Sequence, residues 1–230
     1  MEGQLNLQER AIITRWVTEL VPERTLEVGT WLGGGSTLHI LRALEANGRG
    51  HLWGIEASRS IYDRMVANIR SAGEELVGRF TPLFGFSQQV IPSFLKEQGP
   101  VEIGVVFLDG GDNPMEQIDE FHLLQKSIPV GGVLLSHDAK LRKGKWLVPY
   151  LKAHDNWECV LHDVSAEGLF EARKTADKPS DASRRRASGV LRSLRSQPTE
   201  FVARYIPTPV MRLILRVMPR KLAISLTQGR

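Results

Sequence analysis

At 230 residues, with 42% hydrophobic and 24% charged positions, the chain can bury a sizeable core and has the make-up of a globular protein, which excludes fibrous and disordered classes. No stretch approaches the ~20 uninterrupted apolar residues of a membrane span, Met1-Glu2-Gly3-Gln4 lacks the basic and apolar regions of a signal peptide, and the lone Cys159 excludes an intramolecular disulfide and a cysteine-based zinc site, so a cytoplasmic protein is expected. The net charge of +4 is uneven: residues 175–230 hold 12 of the 30 basic and 3 of the 26 acidic residues, which makes them +9 and everything before them −5, a basic appendage suited to an anionic surface or partner.

Residues 1–22 read as an N-terminal helix, because Ile12, Ile13, Trp16, Val17 and Leu20 fall at helical spacing between Leu7 and Val21. Short apolar runs then alternate with longer helical stretches over residues 23–174. The runs are Thr25–Gly29, His51–Glu56, Phe80–Gly85, Ile103–Asp109 and Val133–His137; the helices are Ser36–Ala46, Ser58–Ser71, Gln88–Lys96, Met115–Ser127 and Lys145–Ala153. Alternation of this kind predicts an α/β fold with a doubly wound, mostly parallel, Rossmann-like sheet. Two last strands, Trp157–Val164 and Gly168–Arg173, lie too close for a helical crossover and predict an antiparallel hairpin, making seven strands in all. Residues 175–188, "TADKPSDASRRRAS", show no helix or strand period and read as a polar linker.

Residues 189–230 read as a basic amphipathic helical tail. Thr199 can cap a short helix holding Phe201, Val202 and Tyr205, and Pro209 opens a second that Pro219 ends. In the second, Arg212 and Arg216 share a face while the rest is strongly apolar, so it either packs on its own core or a partner subunit, as in a homodimer, or lies on an anionic membrane, making the protein peripheral there. Nucleic acid is the weaker candidate, since Phe201 and Tyr205 are the only aromatics of the tail available to stack on bases.

Chemistry concentrates where the runs end. The first run and its turn read Leu26-Glu27-Val28-Gly29-Thr30-Trp31-Leu32-Gly33-Gly34-Gly35-Ser36-Thr37. Glycines permit a sharp turn and close backbone approach to a ligand, and Ser36 is placed to cap the next helix and leave its N–H groups facing an anion. The turn lacks the G-x-G-x-x-G of dinucleotide sites. Glu56, twenty-one residues after Gly35, ends the second run in "LWGIEAS", where a carboxylate can accept both hydroxyls of a ribose. Trp31 reads either as a flank to cofactor or substrate, or as packing beneath the loop. His39, His51, His122, His154 and His162 keep no metal-ligand spacing and read as packing or surface residues.

From Arg24 to Lys174 this ordered series resembles the class I S-adenosylmethionine-dependent methyltransferases, and within them the catechol O-methyltransferase-like enzymes that methylate hydroxyls of small molecules with the help of a metal. The resemblance implies that Glu27, Gly29, Trp31, Gly33, Gly35 and Ser36 lie along the methionine part of S-adenosylmethionine and that Glu56 holds the ribose. The stretch "LFGFSQQVIPSFL" looks like that family's "GxSQxxIPxL", which puts Ser87 and Gln88 by the adenine. "VVFLDGGDN" and "GGVLLSHDAK" match the strand ends whose acids bind a divalent cation, so Asp109, His137 and Asp138 are implied as metal and catalytic residues, with Asp109 also beside the cofactor. Carboxylates from neighbouring strand ends can converge on one Mg²⁺ or Mn²⁺, and such an ion lowers the pKa of a bound hydroxyl. His137 stays open as ligand, outer group or general base, because histidine suits Mn²⁺ better than Mg²⁺. The family's proton-accepting lysine has no counterpart, since Asp112 occupies its place; Asp112, Lys140, Lys143 or the ion alone remain candidates for that role. The expected acceptor is a hydroxyl of a small or lipid-linked molecule; the alternative is a metal-independent methyltransferase docking RNA or protein through the basic tail. Only one helix precedes the first strand, whereas catechol O-methyltransferase-like enzymes cover the cofactor with further N-terminal helices, so residues 199–226 become a candidate cover.

Overall fold

In the computed structural model of the protein the described residues are 5–111 and 113–197; Asp112 and the two tail helices expected after Thr199 lie outside them. Strands β1 (Arg24–Val28), β2 (His51–Glu56), β3 (Phe80–Phe84), β4 (Val105–Leu108), β5 (Val133–Ser136), β6 (Trp157–His162) and β7 (Leu169–Lys174) form one sheet in the order β3-β2-β1-β4-β5-β7-β6. The first five pair in parallel, while β7 runs antiparallel between β5 and β6. The fold is therefore the doubly wound, Rossmann-like sheet with an antiparallel hairpin that the alternation predicts. Helices α1 (Leu7–Leu20), α2 (Ser36–Ala46), α3 (Arg59–Ala72), α4 (Glu74–Val77), α5 (Ser87–Gln98), α6 (Pro114–Leu124), α7 (Leu147–Lys152) and α8 (Asp181–Arg195) complete it, with a 3₁₀ turn at Lys143–Lys145.

Strand alternation sorts the core into two layers. Val106, Leu108 and Leu134 point to the side covered by α5, α6, α7 and α8, whereas Val105, Phe107, Val133 and Leu135 face α1, α2 and α3. The two central parallel strands β4 and β5 are buried on both faces, which is why their sequence is a continuous apolar run with no polar face. Asn6 starts α1 with a capping box: its side chain accepts from Gln8 and Glu9 N–H while the Glu9 carboxylate accepts from Asn6 N–H.

The linker expected over 175–188 is corrected, because α8 begins at Asp181. Ser180 caps it by accepting from Ser183 N–H at 3.2 Å, and Asp155 in turn accepts from Ser180 N–H at 3.0 Å. The buried face is Ser183, Ala187 and Leu191, spaced by four; two of the three are small, so the hydrophobic period is faint against the surrounding arginines. No helix among the described residues is long and apolar enough to cross a membrane.

Candidate active site at the strand ends

The strand order reverses between β1 and β4, and ligands of such sheets bind in the crevice beyond the strand ends at that point. Gly29 leaves β1 with φ +86°, and its N–H is held by the Ile55 carbonyl at 2.9 Å. A Cβ at Gly29 would lie 2.6 Å from the Asp109 carbonyl, so the two strand ends touch backbone to backbone.

Glu27, inside β1, is wholly buried, and burial pushes its carboxyl up to about 7, against the lowering hydrogen bonds of Ser36 and Thr37. Ser36 Oγ donates to Glu27 Oε1, while Glu27 Oε2 has no hydrogen-bond partner among the described residues. The expected capping role of Ser36 is thereby corrected: Gly35 is the N-cap and makes no side-chain cap bond, because the Ser36 hydroxyl is committed to Glu27. Glu56 ends β2 with both oxygens at the crevice, accepting from Trp31 N–H at 3.1 Å and Ser58 N–H at 2.9 Å. Trp31 has φ +49° and stands 44% exposed on the loop that also carries Gly33, so it does not pack beneath that loop. At the start of α5, Ser87 Oγ donates to Glu120 Oε1 at 2.6 Å; Gln88 is half-buried beside it. Burial raises the Glu120 carboxyl to about 8. Glu120 was not singled out from sequence, because a carboxylate on a helix ordinarily reads as surface.

The second half of the site lies at the ends of β4 and β5. His137 Nδ1 is 3.3 Å from Asp109 Oδ1 and 3.3 Å from Asp138 Oδ1, and its Nε2 is 3.3 Å from Glu9 Oε1. Burial lowers the basicity of His137, but Asp109, with the charges of Asp138 and Glu9, raises it by more. Asp138 sits at φ +57°, a conformation Asp tolerates better than most residues. Lys143 Nζ lies 2.8 Å from both Asp109 Oδ1 and Asp138 Oδ2. Lys140 is placed elsewhere, on Asp163 and the Ser165 carbonyl, so of the two lysines only Lys143 joins the cluster.

Asp109, His137 and Asp138 each offer a ligand atom, all within 4.8 Å of one another, a spacing compatible with an ion. Glu9, like Glu120, is a residue that sequence reasoning missed, and its signal is the capping box that fixes it at the start of α1. Ser165 Oγ donates to Glu9 Oε1 at 2.6 Å, and Asn6 Nδ2 donates to the Val164 carbonyl at 2.9 Å. The start of α1 and the β6–β7 turn meet beside His137; residues 199–226, the cover expected from sequence, lie outside the described residues. Breaking this contact with Glu9→Gln is expected to lower the apparent pKa of His137, measured by NMR titration of its ring protons, because one of three nearby negative charges is lost.

Comparison with known proteins bears on this geometry. Residues 26–139 match a family described as a methyltransferase domain. An O-methyltransferase of Streptomyces achromogenes involved in tomaymycin synthesis, solved with S-adenosylmethionine, is 19% identical and superposes with a TM-score of 0.62 over 75% of this chain and 82% of its own. An O-methyltransferase of Bacillus cereus, solved with S-adenosylhomocysteine, is 18% identical with a TM-score of 0.60 over 75% and 83%. An rRNA methylase of Streptococcus thermophilus superposes with a TM-score of 0.56 at 10% identity over 74% and 95%. A search of curated proteins found no match. The domain match, the sheet order and the sequence of strand-end residues agree: residues 26–139 are a methyltransferase domain, and the chain has the fold of the S-adenosylmethionine-dependent O-methyltransferases it resembles.

Proposed function

We propose that the chain transfers the methyl group of S-adenosylmethionine to a hydroxyl of a small or lipid-linked molecule. The observation that carries this reading is the meeting, at one crevice, of a cofactor-shaped half (Gly29, Glu27, Glu56) and a charged acceptor half (Asp109, His137, Asp138). The partnerless Glu27 Oε2 suits the ammonium of the methionine part, the Glu56 carboxylate suits the ribose hydroxyls, and Glu120 with Ser87 offers an acceptor to the adenine amine. In the transfer the sulfonium's S–CH₃ bond breaks as the O–CH₃ bond forms, releasing S-adenosylhomocysteine, while the hydroxyl proton passes to the strand-end cluster. Catalysis is then chiefly orientation and electrostatics.

A divalent cation, Mg²⁺ or Mn²⁺, is what the resemblance implies at Asp109, His137 and Asp138, and their spacing supports it. The ammonium that the two carboxylates already share opposes it, Lys143 Nζ lying 2.8 Å from Asp109 Oδ1 and from Asp138 Oδ2, although neither ring nitrogen of His137 has a hydrogen-bond partner among the described residues. The acceptor half is therefore read as a charged cluster of the chain's own side chains, without a step through an ion.

RNA is the second reading, supported by the rRNA methylase likeness and by the exposed Arg184, Arg185 and Arg192 of α8. Phosphate docking weakens steeply as salt rises, so RNA binding measured across a salt series separates the two. For the first reading, calorimetry should show S-adenosylhomocysteine binding and no NAD binding. Asp109→Ala and Asp138→Ala should abolish methyl transfer while leaving S-adenosylhomocysteine affinity within roughly a factor of three, since they act at the acceptor half. Tight NAD binding would overturn the proposal.

A further inference from the structure

The structure assigns the cation position of the acceptor half to the side chain of Lys143: we infer that its ammonium stands permanently where the resemblance implies a divalent ion, so that the chain's site is metal-independent. Among the described residues Lys143 Nζ touches three oxygens, Asp109 Oδ1 and Asp138 Oδ2 at 2.8 Å and the Asp109 carbonyl at 3.2 Å, contacts an ammonium with three donors can serve. The residue is 5% exposed. An incoming ion therefore has to displace a buried cation already paired with both carboxylates.

The backbone fixes that placement. Lys143 opens the 3₁₀ turn, and the next residue, Gly144, lies so close to Ala139 that a Cβ there would come within 2.5 Å of its Cα and carbonyl oxygen. Ala139 N–H is in turn bound to the Gly168 carbonyl at 3.0 Å and Lys140 N–H to the Glu167 carbonyl at 2.9 Å, so the hairpin clamps the loop that delivers the lysine. Charge balance agrees. Among the described residues Asp109 and Asp138 bring two carboxylates to this spot, and the Lys143 ammonium lies between them. Adding a divalent ion to this cluster without expelling Lys143 would place it against an ammonium.

This inference rests on reading the strand ends as the acceptor half of a methyltransferase site, yet its test needs no methyl transfer. Full-length protein stripped with EDTA is titrated with Mn²⁺ alone, and bound ion is read from loss of the free Mn²⁺ signal in electron paramagnetic resonance. Wild type and Lys143→Arg are expected to leave the signal unchanged into the millimolar range. Lys143→Gln removes the resident charge and is expected to bind Mn²⁺ at least ~10-fold more tightly than wild type. Adding Asp138→Asn to Lys143→Gln should erase the gain, which ties it to this site. Stoichiometric binding by wild type that Asp138→Asn abolishes, or equal affinity in wild type and Lys143→Gln, overturns the inference. Should Lys143→Gln fail to fold by circular dichroism, wild type and Asp138→Asn alone decide between the same outcomes. Binding of S-adenosylhomocysteine to the same preparations reports separately on the functional reading.

Discussion

Gly29→Ala is expected to cost more than ~3 kcal/mol of stability and to eliminate binding of S-adenosylhomocysteine, whereas Gly48→Ala should cost only about 1 kcal/mol. Both glycines have positive φ, +86° and +69°, so both substitutions carry the strain of a side chain in the left-handed region. Only at Gly29 does the new Cβ meet backbone, 2.6 Å from the Asp109 carbonyl and the Gly110 nitrogen; at Gly48 it meets nothing within 4 Å. The difference between the two variants thus isolates the close approach of β1 and β4. Urea unfolding of both, followed by calorimetry on whichever folds, checks the expectation. Equal destabilisation would show that the strand ends can separate without loss.

Glu27→Gln should make the cofactor-free protein more stable at pH 8 while weakening its affinity for S-adenosylmethionine by ~10- to 100-fold through loss of a charged partner. The folded-state pKa of Glu27, about 7, lies above the ordinary 4.5 because burial penalises the charge. Stability from the protonated carboxyl is therefore fully present below about pH 4.5, declines as pH rises, and is gone above about 7. A gap of that size corresponds to ~3 kcal/mol, and an amide that cannot ionise avoids it. Melting temperatures of wild type and variant should coincide near pH 4.5 and diverge by several degrees at pH 8. Affinity of the wild type for the cofactor should rise through pH 7, since the ammonium proposed to bind there favours the ionised carboxylate. A variant no more stable than wild type at pH 8 would show that Glu27 is solvated in solution.

The strands were legible because buried parallel strands and amphipathic helices leave different periods. β2 and α2 were read to the residue, and the other strand boundaries differ by one or two positions. What the sequence hid has physical causes. The face of α8 is built partly from a serine and an alanine, which carry little hydrophobic signal. Glu9 and Glu120 are helix carboxylates whose burial depends on partners more than thirty residues away, Ser165 and His137 for one and Ser87 for the other. Lys143 could be named only as one of several cations near the site, because a turn seven residues beyond β5 has to fold back before its side chain meets Asp109 and Asp138. The glycine turn and the strand-end acids, by contrast, belong to elements that deliver them directly, so their meeting at the strand ends was legible from their order along the chain.

The placement of β7 between β5 and β6 has a consequence for how the protein is made. A chain growing from the ribosome has released Gly29, Glu56 and Asp109 by residue 109, and with β5 it presents five parallel strands in sequence. The outer edge of β5, four residues buried on both faces in the finished fold, then has no strand beside it until residues 169–174 emerge. An unpaired apolar edge invites pairing with another chain. The interval between the emergence of Ser136 and that of Lys174 is thus when the nascent protein is most prone to aggregate, and any truncation ending before the hairpin makes that interval permanent.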